Sequence, residues 1–309
     1  MFEVENLLVK VSWYYFIENM TQQQISELLN IPRMRVVKLL GQARNEGIVQ
    51  FKLKQSIVDK MGIELSIKEK YSLNDAVVIP KVGPENLKKS LSKAAALYID
   101  EKASMNDFLN IGFGDTVSQT VSELIYNTEK NISFVSLTGG VSHYTSSIIK
   151  GAHYRSSSKT TPNIYIIPAP LLGSTADVAR TFLQEPTVRD ILSMNSLANL
   201  SLIGIGAMSQ EASIFKSNIA SQNDFQILKL KGAVGDFLSF FFDINGNLID
   251  SDFHDRLIST SMDSLKDYQN TIAVAGGEEK HIAIKAALNC KYIDVLITDE
   301  ETARFLTEE

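Results

Sequence analysis

The stretch TQQQISELLNIPRMRVVKLL, residues 21–40, constrains this chain more than any other. Thr21 and Gln24 stand at the T-x-x-Q spacing of a capping box, in which each side chain satisfies the other residue's backbone N–H at a helix start. Met20 and Ile25 flank the cap as a hydrophobic staple. Ile25 and Leu29 fall on one helical face, and Ser26 is small where two helices must cross closely. Asn30 closes the helix, because asparagine tolerates a left-handed turn better than other non-glycine residues. Ile31 fills the turn, and Pro32 suits the first turn of a second helix. Val36, Leu39 and Leu40 give that helix an inner face and leave Arg33, Met34, Arg35 and Lys38 outside. Two helices joined in this way form a helix-turn-helix, whose second helix enters the major groove by its N-terminal end. The sequence therefore predicts contact with duplex DNA through Arg33, Met34, Arg35 and Lys38, with Gln22 anchoring the first helix to the DNA backbone. An ordinary helical hairpin with a basic surface is the alternative.

Upstream, residues 7–19 (LLVKVSWYYFIEN) predict an apolar helix packed across both. Gly47 ends the second helix. Residues 47–54 then alternate Val49, Phe51 and Leu53 with Gln50, Lys52 and Lys54, the period of a short strand or wing.

The chain is 309 residues long and 44% hydrophobic, enough for one small and one large domain, placed at 1–55 and 56–309. Charge divides the same way. Residues 1–55 hold seven Lys/Arg against five Asp/Glu, whereas the whole chain carries a net charge of −6. An acidic body repels DNA except where a basic head docks, which favours a small, site-specific footprint. The single cysteine, Cys290, lies in an apolar segment and reads as core packing. His143, His153, His254 and His281 lack metal-ligand spacing, so neither a metal nor another cofactor is expected. No apolar run reaches the roughly 18 residues of a membrane span. The first residues are acidic rather than basic, unlike a signal peptide. A cytoplasmic protein is expected.

Residues 56–71 read as an amphipathic connecting helix with Ile57, Met61, Leu65 and Ile67 as a seam suited to joining subunits. Strands and helices then alternate. Strands are expected at 76–80, 107–111, 132–137, 164–168, 200–205, 271–275 and 295–298, with helices at 86–102, 117–126 and 281–288. The order apolar strand, Gly-rich turn, helix predicts a doubly wound α/β domain with a mainly parallel sheet. Ligands of such sheets bind beyond the carboxyl ends of the strands, which here carry GFGDT, TGG, PAP, GIG and AGG.

Gly112-Phe113-Gly114-Asp115-Thr116 stands between a strand and a helix. Its glycines let backbone N–H groups approach an anion, the helix N-terminus favours negative charge, and Thr116 adds a hydroxyl. It is neither a G-x-G-x-x-G nor a P-loop, and a purely structural turn stays open. The segment 275–280 (AGGEEK) repeats the theme and brings Lys280 to a helix start, where it can neutralise a phosphate. Asp236 and Asp243 flank the apolar run 237–242, and a helix between them would put both carboxylates on one side, able to bind sugar hydroxyls or act as acid and base. The plain alternatives are a helix cap for Asp236 and a turn role for Asp243, since DINGN has strong turn chemistry.

Taken together, the helix-turn-helix, GFGDT, LTGG, IIPAP, GIGA, GAVGDFLSFFFDINGN, VAGGEEKHIAIKAAL and VLITDEETA resemble the SorC family of bacterial sugar-responsive transcriptional regulators, over nearly the whole chain. IGFG, LTGGV, IIPAPL, ADVART and AGGEEK are most similar to the branch that contains the enteric regulator of autoinducer-2 uptake. The resemblance implies an effector domain folded like ribose-5-phosphate isomerase and glucosamine-6-phosphate deaminase, without requiring catalysis. It implies a phosphorylated sugar or sugar-like effector, such as phospho-autoinducer-2 or a polyol or pentose phosphate. It further implies a homotetramer or homodimer, and repression of a carbohydrate-use or uptake operon that effector relieves. Carried over by motif, the phosphate meets Gly112, Gly114, Asp115, Thr116 and Lys280, although Asp115 stands where some relatives have a small neutral or basic residue and suits a phosphate only if it turns away to cap the helix. The sugar end meets Phe113, Gly139, Gly140 and Asp243. Two other readings remain: a sugar-phosphate isomerase or deaminase using Asp236 or Asp243 as base, and a DNA-binding protein whose large domain only oligomerises.

Overall fold

The computed structural model describes residues 2–50, 58–145 and 162–308. The chain forms two compact units, Met1–Ser56 and Ile57–Glu309.

In the first unit, α1 (Phe2–Phe16), α2 (Gln22–Leu29) and α3 (Arg33–Asn45) enclose a core of Leu8, Val11, Ile25, Val36, Leu39, Leu40 and Ala43. The Thr21–Gln24 capping box is formed, a feature worth about 1 kcal/mol. Asn30 takes the left-handed conformation (φ 50°, ψ 48°) and donates its N–H to Ser26 and Glu27 carbonyls. Ser26 Oγ then donates to the Ile31 carbonyl at 2.6 Å, fixing the turn. Pro32 sits at the N-cap of α3, one residue earlier than its expected place in the first turn. α1 starts and stops earlier than the apolar run predicts. Asn19 adopts φ 55°, and the turn that carries it has already left the helix. Residues 47–50 form no strand, and the remainder of the expected wing lies outside the described residues.

The second unit is built on a seven-stranded sheet in the order β1-β10-β9-β5-β2-β3-β4. Its strands are β1 (Asp75–Ile79), β2 (Phe108–Ile111), β3 (Ser133–Ser136), β4 (Ile164–Tyr165), β5 (Leu200–Gly204), β9 (Thr271–Val274) and β10 (Val295–Asp299). Every pairing is parallel. The sheet is covered on both faces, so its strands read as continuous apolar runs, and side-chain alternation assigns each residue to a face. Leu296 and Ala273 pack with the helix His281–Asn289. Val295, Ile297, Ile272 and Val274 pack with α5 (Pro84–Lys102) and α6 (Asp115–Asn127). This is the doubly wound α/β class that the strand–turn–helix order predicts.

α4 (Val58–Tyr71) belongs to this unit and is more than a connector. Ile67 and Tyr71 are buried in its core, and the Lys70 and Tyr71 side chains donate to the Leu306 carbonyl of the last helix. Of the expected seam, Leu65 is exposed, while Ile57 and the Met61 side chain lie outside the described residues.

One expectation is overturned. The run from Asp236 to Asp243 is not helical but a hairpin, β7 (Gly235–Phe237) and β8 (Phe240–Phe242), completed by β6 (Gly206–Ala207). Leu238 (φ 52°) and Ser239 (φ 68°) form its two-residue turn, with the pair of positive φ angles that matches strand twist. Phe241 and Phe242 are adjacent yet enter different cores, as strand neighbours must.

The hairpin also contains a pH-sensitive contact. His254 Nε2 accepts the Phe241 N–H at 2.9 Å, so the neutral ring is the one the fold holds. Burial pushes its pKa down to about 4, despite the nearby carboxylates of Asp255 and Asp250. An unfolded chain takes up this proton near 6.5, the folded chain only near 4. Stability should therefore be level above this window and fall as pH drops through it, by up to roughly 3 kcal/mol. Urea titrations of wild type and His254→Gln between pH 4 and 7.5 check this. The glutamine variant keeps an acceptor without the proton, so its acid slope should be shallower.

Candidate functional site

α3 turns Arg33, Met34, Arg35 and Lys38 to solvent, with Met34 74% exposed. Arg33 Nη2 donates to Gln22 Oε1 at 3.4 Å, joining the second helix to the start of the first. The face is basic at the helix N-terminal end, and no acidic residue stands in the first turn of α3.

In the second unit, β2 and β5 are neighbours whose chains leave in opposite directions, β2 towards β3 and β5 towards β9 and β10. That reversal opens a crevice beyond their carboxyl ends. Gly112 N donates to the Leu202 carbonyl at 2.8 Å and carries the pairing one residue past β2. Gly114 then adopts φ 140°, a conformation that side chains resist, and opens α6 with no side-chain cap. The first N–H groups of α6 have no acceptor within the helix, and the dipole makes this end positive. Asp115 is exposed and faces Lys88 of α5 at 3.5 Å. It points to that lysine and does not cap the helix. Thr116 is half-buried, and its carbonyl accepts from Ser92 Oγ (3.2 Å) and Thr120 Oγ1 (2.8 Å).

The loop after β3 meets this one. Gly139 and Gly140 donate their N–H groups to Ile258 and Ala169 carbonyls. The Thr138 hydroxyl pairs with Tyr144 OH at 2.7 Å, and Tyr144 OH reaches the Ile111 carbonyl at the end of β2. Any Cβ on Gly139 would overlap the Pro170 carbonyl oxygen, so only glycine lets this loop approach the Ala169–Pro170 segment that follows β4. Phe113 lies against Gly140 and stacks on His143 at 4.0 Å.

Lys280 closes the other side. It stands in the short turn Glu278–Lys280 after β9, and its Nζ donates to the Ile205 carbonyl at 3.0 Å, at the end of β5. Burial lowers its pKa, against the raising fields of Glu279 and Asp236. Asp236 accepts the Ser239 N–H at 3.1 Å, and its other oxygen presses on Gly206. Burial raises Asp236 to about 6, opposed by that hydrogen bond and by Lys280.

The structure thus brings together Gly112, Phe113, Gly114, Asp115, Thr116, Gly139, Gly140 and Lys280 around the ends of β2, β3 and β5. Two expected features stand apart. The Gly277 N–H is taken by Asp299 and Thr302, so of the AGGEEK segment only Lys280 serves the crevice. Asp243 holds its own turn, accepting from Asn245 N, Asn247 N and Asn247 Nδ2. That turn packs through Gly246 on Ala286 and Cys290, at the far end of the helix that Lys280 precedes. Sequence reading missed His143, Lys88 and Leu238. His143 had a signal, since it follows Gly140 by three residues at a helix start. Lys88 had none, because it reaches the crevice only through α5–α6 packing.

Residues 55–308 match the family model for the sugar-binding domain of SorC-type regulators. Over 303 residues the chain is 33% identical to the transcriptional regulator LsrR of Escherichia coli O139:H28, covering 97% of this chain and 93% of that protein. The LsrR of Klebsiella pneumoniae is 30% identical over 304 residues, covering 97% and 92%. The crystal structure of the full-length sorbitol operon regulator SorC from Klebsiella pneumoniae superposes with a TM-score of 0.74 at 26% identity, covering 98% of both chains.

The chain belongs to the SorC family of transcriptional regulators. Its relatives are named as transcriptional regulators, and the family model over residues 55–308 is described as that of a sugar-binding domain. Among the described residues no helix is long and apolar enough to cross a membrane.

Loop contact in a SorC-family crevice of this kind rests on Gly139. Gly139→Ala should lose about 1–3 kcal/mol in chemical denaturation, because backbone rather than a flexible side chain must give way. Gly41→Ala, in mid-α3 with open space around it, should instead gain up to about 1 kcal/mol. Equal effects at the two sites would show that the Gly139 contact is not tight.

Proposed function

We propose that this protein is a repressor of a carbohydrate-use or uptake operon, released from its operator by a phosphorylated sugar-like effector bound between β2, β3 and β5. The observation that carries the effector half is the convergence of the uncapped α6 N-terminus with Lys280 on one crevice. Backbone N–H groups at a helix start, with a lysine beside them, suit a phosphate. Gly139, Gly140 and Phe113 form the wall against which a sugar ring packs.

The DNA half rests on the exposed face of α3. Arg33, Met34, Arg35 and Lys38 meet base edges and nearby phosphates in the major groove, and Gln22 holds the first helix to the backbone. A symmetric homodimer or homotetramer places two such helices on a palindromic or pseudo-palindromic operator. Effector changes the spacing of the heads, and a tenfold change in occupancy needs a coupling of only about 1.4 kcal/mol.

Mobility shift on the protein's own promoter region tests both halves. Arg33→Ala with Arg35→Ala should abolish the shift while leaving effector binding intact. Phospho-autoinducer-2, a polyol phosphate and a pentose phosphate form the panel, and one of them should release wild-type protein. Lys280→Gln should keep the shift and resist release by at least tenfold in effector concentration. Operator affinity unchanged in the double variant would remove α3 from DNA reading.

A second reading has one observation in its favour. Asp236, at a pKa of about 6, is poised for proton transfer at the crevice. Turnover of ribose-5-phosphate or glucosamine-6-phosphate, lost in Asp236→Asn, would establish an enzyme. No turnover is expected.

A further inference from the structure

His143 has no part in the functional reading so far, yet its ring spans two of the three elements that meet at the crevice. It projects from the helical residues 141–145 that follow Gly140, and its own N–H donates to the Gly140 carbonyl at 3.0 Å. The imidazole stacks on Phe113 at 4.0 Å with the planes 29° apart. Its Nε2 accepts the Gly114 N–H at 3.2 Å and pairs with Ser118 Oγ, one turn into α6, at 2.8 Å. One side chain therefore fixes the ring before Gly114, the amide of Gly114 and the first turn of α6.

We propose that His143 is a positioning residue of the effector crevice: by accepting the Gly114 N–H and stacking on Phe113, it holds the glycine loop in the geometry that presents the α6 N-terminus to an anion. The proposal rests on the reading that the anionic end of the effector binds there.

The chemistry of imidazole makes the arrangement conditional. Accepting an N–H requires an unprotonated Nε2, so the proton of the neutral ring resides on Nδ1. Protonation would set Nε2–H against the Gly114 N–H, donor against donor, and free the loop. Burial lowers the His143 pKa and keeps the acceptor available at neutral pH, while the Asp115 carboxylate acts the other way. Among the described residues, the Ser118 hydroxyl on α6 and the Tyr144 phenol, edge-on at 5.9 Å, also lie beside the ring. Lys88 on α5 lies beyond Asp115.

Two measurements on the full chain separate this proposal from the reading beneath it. The first uses no ligand. Hydrogen exchange of peptides that span Gly114 should quicken in His143→Leu, which removes the acceptor and keeps bulk. In His143→Gln, whose side-chain oxygen reaches the Nε2 position, it should stay as in wild type. The second is calorimetric titration with sulfate, an anion whose charge does not change between pH 5.5 and 8. Wild-type affinity should fall on acidification. His143→Gln should bind within about twofold of wild type at pH 8 and lose the pH dependence. His143→Leu should bind roughly fivefold to tenfold more weakly at pH 8, the worth of one hydrogen bond.

Wild-type exchange and affinity in His143→Leu would overturn the proposal. Tighter sulfate binding at low pH, abolished in His143→Gln, would also overturn it and make the imidazolium a direct ligand. Sulfate affinity undiminished in Lys280→Gln would instead count against the phosphate reading, and the exchange result would still decide the role of His143. Absence of sulfate binding by wild type would remove the anion site on which both rest.

Discussion

A parallel sheet has a direction, and the site depends on that constraint. Strands that all run one way place all their carboxyl ends on one edge, so loops far apart in sequence must converge there. GFGD after β2, TGG after β3, Ile205 after β5 and Lys280 beyond β9 span almost 170 residues of chain, yet they meet because six parallel pairings hold their strands in register. The position of the crevice follows from the order of the strands. Between β5 and β2 the chain's direction of winding reverses.

Convergence alone leaves an open edge. The small antiparallel sheet β6–β8 closes part of it, at a cost. Leu238 is held at φ 52°, an unfavourable conformation for a leucine, and is almost fully buried with Cδ2 lying 2.7 Å from where a Cβ on Gly112 would be. The turn persists because Phe237, Phe241 and Phe242 anchor it in two cores. The same logic operates in the small unit, where Asn30 takes a left-handed conformation and Ser26 Oγ secures the carbonyl that follows it. In both places a locally unfavourable backbone is held by packing on either side.

What the sequence reveals follows from the range of the interactions involved. The helix-turn-helix was legible residue by residue, since caps, turn and inner face all lie within 20 residues of one another. The large sheet was legible because strands buried on both faces leave continuous apolar runs. Local patterns failed where tertiary contacts decide. GAVGDFLSFFFD is apolar enough for a buried helix or a strand, and only the two cores that divide its phenylalanines make it a hairpin. Asp243 carried the right chemistry for a sugar, but its carboxylate is committed to its own turn. Lys88 acts through a partner 27 residues away, Asp115, so no spacing rule reaches it, and His143, though placed by its spacing from Gly140, acts on Gly114, 29 residues away.

Charge then decides what kind of guest this crevice accommodates. Its two ends are unlike. At one, the α6 N-terminus and Lys280 offer positive potential, and Lys88 keeps Asp115 occupied at the rim rather than in the mouth of the helix. That rim pair is solvent-exposed and worth little energetically, so it can yield to a stronger anion. Deeper in, burial raises the Asp236 carboxyl to about 6, against its hydrogen bond from Ser239 and the field of Lys280. On the proposed reading a neutral sugar would leave the helix terminus without an anion, and a bare anion would face the Asp236 carboxylate without a hydroxyl between them. On the proposed reading, a small molecule with an anionic head and a hydroxyl-bearing body would satisfy both ends at once.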